Sequence, residues 1–155
     1  MEFSLIAIAY FSNIKCLDVL TEVFEYLDLN EAELAARLCN KTDIERAIKS
    51  ENQLSGIEIE GGDEVFSGIH LFTWFIHSYD DSIDELIIIP DKNNSSVRIE
   101  AEGWDHEANE FVVALAQILI SVGATKLTIE ANSEAWSGNW CVDGKEISVN
   151  LHPIA

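Results

Sequence analysis

The spacing of the apolar residues changes from a helical to a strand period about one third of the way along this chain of 155 residues. After an apolar opening strand, residues such as Ile14, Leu17 and Leu20 recur at steps of three and four, which predicts an amphipathic helix. From Gln53 onward the step becomes two, as in the IEIE of residues 57–60, and this alternation is typical of half-buried strands. The pattern therefore favours an α+β fold, with helices segregated from a sheet.

The same two spacings predict the individual helices and strands. Helices are expected over residues 14–27, 31–40 and 43–50, and the last two open at capping-box spacings. After the IEIE segment, further strands are expected at residues 65–79, 85–90, 97–102, 127–131, 139–142 and 145–148. The last two flank Asp143-Gly144, a strong hairpin signal.

Residues 106–122 are apolar around most of a helix, with Asp105 as the expected cap and Gly123 as the expected stop. We therefore expect a single α+β domain over residues 1–155. N-terminal helices would accompany a mostly antiparallel sheet, with residues 106–122 packed on it as one long central helix. Period two would place Glu100 and Glu102 on the same exposed side of the sheet, where rows of like charge are unfavourable unless they serve a purpose.

The cysteines and the first residues bear on the compartment. Cys16, Cys39 and Cys141 are far apart, lie among apolar residues and form no CxxC motif, so we expect buried free thiols in a reducing environment. The opening apolar run follows Glu2, with no Lys or Arg before it, which favours a strand over a signal peptide. The longest apolar region, residues 111–124, is too short to cross a bilayer. We expect a cytoplasmic protein.

Charge is the most unusual bulk property. The chain has 28 acidic and 9 basic residues, a formal net charge of -19, and no Lys or Arg lies between Lys49 and Lys92. Such charge serves either solubility or attraction of a basic partner. It argues against nucleic acid as a ligand, because binding phosphates requires a basic surface. We expect neither nucleic acid nor a membrane as a partner.

The segment HSYDDSIDE, residues 77–85, concentrates four acids between two predicted strands. Its spacing lacks the ligand pattern of an EF-hand loop. Asp80 and Asp81 are adjacent, and adjacent side chains on a strand point to opposite faces, so they cannot act as a catalytic pair there. The chain also has no GxSxG elbow, GxGxxG or phosphate loop. We assign no catalytic residue, metal ligand or cofactor, and expect a solvated loop that can also meet a basic protein.

Besides the acidic residues, two tryptophans in a polar setting could contact a partner protein. Trp136 and Trp140 surround a Ser-Gly-Asn, and exposed tryptophans are frequent binding anchors. The alternative is that both cover the hairpin end of the core. Trp104, next to Asp105, is expected to pack at the start of the following helix.

In general character the chain resembles the immunity proteins of bacterial toxin systems, which are small, acidic, cytoplasmic α+β proteins that bind one cognate toxin. The resemblance rests on no motif. It implies a non-enzymatic protein that neutralises a basic toxin domain, often a nuclease, by direct binding. The alternative is a small carboxylate- or metal-dependent hydrolase. The expected partner-binding residues are Asp63, Glu64, Tyr79, Asp80, Asp81, Asp84, Glu85, Glu100, Glu102, Trp136 and Trp140.

Overall fold

The structure of the chain is a computed structural model that describes residues 2–25, 27, 68–106, 108–143 and 146–153. We number the elements within these residues in chain order. The strands are β1 (Glu2–Phe11), β2 (Ile83–Asp91), β3 (Ser96–Trp104), β4 (Ala124–Ser133), β5 (Trp136–Asp143) and β6 (Glu146–Pro153). The helices are α1 (Lys15–Glu25), α2 (Gly68–Ser82) and α3 (Ala108–Val122).

The six strands form one sheet in the order β2-β3-β1-β4-β5-β6, and every pairing is antiparallel. β1 lies between β3 and β4. Leu5 of β1 pairs with Ala101 of β3 and with Ala131 of β4, and all three residues are buried. Because side chains alternate along a strand, these positions define the core face of the sheet.

The helices pack on that core face. α3 contacts β4 as well as α1 and α2, and its residues 111–120 are all buried. Phe75 of α2 stacks on Phe111 of α3 at a ring distance of 5.5 Å and meets Phe24 of α1 edge-on at 6.0 Å. An aromatic cluster thus joins the three helices. Such contacts stabilise a core beyond the area they bury.

α2 runs directly into β2, because the helix ends at Ser82 and the strand begins at Ile83. The Ser82 hydroxyl donates a hydrogen bond of 2.5 Å to the carbonyl oxygen of His106. Gly103 of β3 passes so close to this junction that a Cβ atom there would collide with the carbonyl group of Ser82. The glycine therefore sets how closely the end of α2 approaches the sheet.

The predicted fold is wrong in its helices. No single long central helix is present among the described residues, because α2 and α3 are 15 residues each and pack on one another, while α1 has 11. The described structure is instead a six-stranded antiparallel sheet with short helices on one face, which is an α+β arrangement. The helices expected at 31–40 and 43–50 and the strand at 57–60 lie outside the described residues.

The predicted strand at residues 65–79 is also wrong, because residues 68–82 are α2. Its composition is strand-like, but Phe75 and Tyr79 lie one helical turn apart and pack on Phe111. Tertiary packing decides between helix and strand in such apolar runs.

The expected positive φ of Gly123 is confirmed, at 121°, at the end of α3. None of the described helices combines the length and the apolar character that crossing a membrane requires.

Candidate functional site

The face of the sheet opposite the described helices carries the more exposed half of each strand, and we call it the open face. Four rows of side chains cross it, in the strand order β2-β3-β1-β4-β5-β6, and the last of them is Asp91, Ser96, Tyr10, Lys126, Asp143 and Glu146. The first row is Glu85, Glu102, Ser4, Asn132, Ser137 and His152. The second row is Ile87, Glu100, Ile6, Glu130, Asn139 and Asn150. The third row is Ile89, Arg98, Ile8, Thr128, Cys141 and Ser148.

A depression of about 590 Å³ lies at the end of the open face beside the first row. Its carboxylates come from three strands and from the segment after β4. They are Glu2, Asp84, Glu85, Glu102 and Glu134. Trp104 also lines it and is 57% exposed. None of its described lining residues is a lysine or arginine, so we call this site the acidic depression.

Glu85 and Glu102 lie directly opposite each other on β2 and β3, and both are exposed. Like charges directly opposite on neighbouring strands destabilise a sheet. The neighbouring carboxylates of the acidic depression add to this repulsion rather than relieve it. The repulsion between these carboxylates therefore lowers the stability of the sheet at the acidic depression.

The positive charge on β3, that of Arg98, is already paired with a carboxylate. Arg98 Nε lies 2.9 Å from Glu100 Oε1, two residues further along the same strand, and both side chains are partly exposed. An exposed pair of this kind contributes little to stability. It does mean that Arg98 neutralises Glu100, one row away from the acidic depression, and leaves Glu85 and Glu102 uncompensated.

The acids of residues 77–85 are divided between two elements and do not form a loop. Asp80 and Asp81 are exposed in the last turn of α2, where His77 Nε2 lies 3.4 Å from Asp81 Oδ2. Asp84 and Glu85 begin β2 and line the acidic depression. The segment thus contributes two acids to the depression and two to a neighbouring helix end, where negative charge is unfavourable because of the helix dipole.

The other predicted contact residues are distributed differently. Glu100 and Glu102 lie on the open face, as their alternation predicted. Tyr79 is half-buried and packs on Phe111 at 6.4 Å, so most of its ring belongs to the core. Asp63 and Glu64 lie outside the described residues.

The two candidate tryptophan anchors face the core. Trp140 is 1% exposed, and Trp136 is half-buried against Phe3 at 5.9 Å and against Trp140 at 6.2 Å. Gly138 makes room for the Trp140 ring, since a Cβ atom there would lie 2.5 Å from it. These residues therefore cover the hairpin end of the core, which was the alternative interpretation of the sequence.

Among the residues of the acidic depression that sequence reasoning missed are two carboxylates, Glu2 and Glu134, and the exposed ring of Trp104. The expectation that Trp104 packs at the start of α3 is not what the structure shows, because its ring is mostly exposed. The two-residue alternation of a strand could have placed Trp104 on the open face. It follows Arg98, Glu100 and Glu102 at steps of two, and it pairs with Glu2. Glu134 lies just after β4, and no local pattern links it to β3.

Metal-ligating and thiol side chains bear on the alternative of an enzyme. No three or more His, Cys, Asp or Glu side chains within the described parts of the chain are placed to hold a metal ion. Cys141 is a free thiol but is exposed on the open face, so the expectation of a buried thiol is wrong at this position. Cys39 lies outside the described residues.

Comparison of the chain with protein-family models, with curated proteins and with solved structures finds no match.

Proposed function

We propose that this chain is a non-enzymatic binding protein that takes a basic protein on its open face, and that it acts as an immunity protein neutralising a toxin. The observation that carries the proposal is the Glu85–Glu102 pair, set among three further carboxylates of the acidic depression. A cationic partner would remove the repulsion that the chain bears alone. Binding would then regain stability lost in the unbound fold.

The physics of association fits this role. Carboxylates grouped on one side of a chain with net charge -19 create a long-range field that attracts a basic surface. Steering of this kind can raise association rates toward roughly 10⁸–10⁹ M⁻¹s⁻¹ at low salt. A toxin that must be inhibited before it acts makes a high association rate useful.

The test begins with a double variant, Glu85→Gln with Glu102→Gln, and with a basic protein captured by the wild-type chain at low salt. We expect the association rate to fall about tenfold, at the low end of the effect of steering. Surface plasmon resonance at two salt concentrations measures this rate. We expect the free energy of unfolding of the variant to rise by about 0.2–1 kcal/mol, because the repulsion is removed.

A matched control exists at the other end of the sheet. Asp143 and Glu146 are also directly opposite each other, on β5 and β6. Asp143→Asn with Glu146→Gln removes the same charge, far from the acidic depression. Because Lys126 of β4 lies opposite Asp143, we expect a smaller gain in stability than at Glu85 and Glu102, with little change in association rate. Equal slowing by both double variants would contradict a localised site.

The immunity role has its own readout. Expression of the captured protein alone is expected to arrest growth of host cells, and co-expression with the wild-type chain is expected to restore it. A captured protein that is harmless when expressed alone would contradict the immunity role and leave only the binding role.

A further inference from the structure

Four isoleucines form an apolar area on the open face beside the acidic depression. They are Ile6 and Ile8 of β1 and Ile87 and Ile89 of β2, which we call the isoleucine patch. Ile6, Ile87 and Ile89 are 38%, 43% and 47% exposed, and Ile8 is half-buried. Strand spacing makes the patch about 10 Å wide and 7 Å long.

The centre of the isoleucine patch is electrically neutral. β3 runs between the two isoleucine strands, and its residues there are Arg98, opposite Ile8 and Ile89, and Glu100, opposite Ile6 and Ile87. The 2.9 Å ion pair between Arg98 and Glu100 cancels their charges. The strip of β3 between the isoleucines thus carries no net charge, and Glu130 of β4, opposite Ile6, is the acid that borders the patch beyond β1.

The isoleucine patch borders the acidic depression directly, because one step of two residues along a strand leads from one to the other. Glu85 precedes Ile87 by two positions on β2, and Glu102 follows Glu100 by two on the antiparallel β3, which is about 7 Å. A partner that spans this boundary meets an apolar, neutral area and an acidic one side by side. Charge alone gives fast but weak binding, and packed apolar contacts supply the remaining affinity.

We infer that the isoleucine patch is the half of the interface that anchors the basic partner through apolar contacts. This inference rests on the proposed function. Its occupant is a cationic amphipathic segment of the partner protein, with apolar side chains on the patch and lysine or arginine side chains in the acidic depression. Charge complementarity selects this occupant. A second copy of this chain would bring two acidic depressions together, and nucleic acid would bring phosphates to them.

The experiment uses two synthetic peptides of the same length and charge. One is an amphipathic helical peptide of leucine and lysine, and the other has serine in place of leucine. We expect the leucine peptide to bind the wild-type chain about tenfold more tightly, by fluorescence anisotropy. NMR shifts on binding should fall on the isoleucine methyl groups of the patch, and shifts confined to other surfaces would overturn the inference.

The variant Ile87→Thr with Ile89→Thr removes apolar surface and keeps β-branched residues that suit a strand. We expect it to abolish the preference for the leucine peptide. Its dissociation rate from a captured basic partner should rise about tenfold per residue, with an unchanged association rate. Glu85→Gln with Glu102→Gln should instead weaken both peptides equally, and Asp143→Asn with Glu146→Gln should affect neither.

The outcomes separate this inference from the proposed function. Equal binding of the two peptides overturns the anchoring role and leaves the acidic site standing. Binding of neither peptide overturns both. If the wild-type chain sediments as a dimer that Ile87→Thr with Ile89→Thr dissociates, the occupant is a second copy and the inference is wrong. If that variant does not fold, the peptide comparison and the methyl shifts on the wild-type chain still decide.

Discussion

Gln117 is a polar residue in the buried stretch of α3. It is fully buried in α3, and neither its Oε1 nor its Nε2 atom has a hydrogen-bond partner among the described residues. Leaving a buried amide unsatisfied costs about 1–3 kcal/mol. The buried amide of Gln117 therefore lowers the stability of the fold.

Replacing Gln117 with methionine should stabilise the protein, because the thioether has a similar length and no strong need for a hydrogen bond. We expect the free energy of unfolding to rise by about 1–3 kcal/mol, measured by urea denaturation. Gln117→Glu is the opposing variant and should destabilise the protein strongly, because it buries a charge. A loss of stability in Gln117→Met would show that the amide is satisfied.

At the scale of the elements, the junction between α2 and β2 is constrained by a hydrogen bond and by a close backbone approach. The end of α2 is held by the hydrogen bond from Ser82 to His106 and approaches β3 only because residue 103 is glycine. This junction also positions Asp84 and Glu85 over Glu102 at the acidic depression.

Gly103→Ala tests that constraint. The added methyl group would meet backbone atoms of Ser82 and Ile83, which cannot move aside as a side-chain end can. We expect a destabilisation of about 1–3 kcal/mol by urea denaturation. Asn150→Ala, at an exposed position of β6, should stay within about 0.5 kcal/mol of wild type. If Gly103→Ala behaved like Asn150→Ala, the junction would have room that the structure does not show.

The sequence predicted those elements whose signal is local. The strands around Leu5, Ile99 and Ile129, the start of α1 and the hairpin pairing of β5 with β6 all follow from period and turn residues. α2 could not be recognised, because its apolar residues cover the helix broadly and are aromatic or β-branched. The acidic depression needed the strand order, which depends on contacts between distant residues.

At the scale of the whole molecule, the net charge of -19 should make stability depend on salt. Raising sodium chloride from about 0.01 M to about 0.15 M shortens the Debye length from about 30 Å to about 8 Å. Relief of about 1–2 kcal/mol of self-repulsion would raise Tm by about 2–8 °C for a chain of this size. Differential scanning calorimetry measures the change.

The same salt should slow association with a basic partner, so stability and association rate are expected to change in opposite directions. Sodium chloride is the suitable salt, because sulfate also strengthens apolar burial. A Tm that is constant or falls over this range would mean that the acids are balanced within the fold.

The position of β1 in the sheet has a consequence for synthesis. Leu5 pairs with Ala101 and Ala131, so both neighbours of β1 are translated long after it. On the ribosome, this apolar strand has emerged well before either neighbour exists, and pairing at such long separation is slow. A nascent chain of this protein therefore carries β1 without a partner strand until β3, and then β4, has been translated.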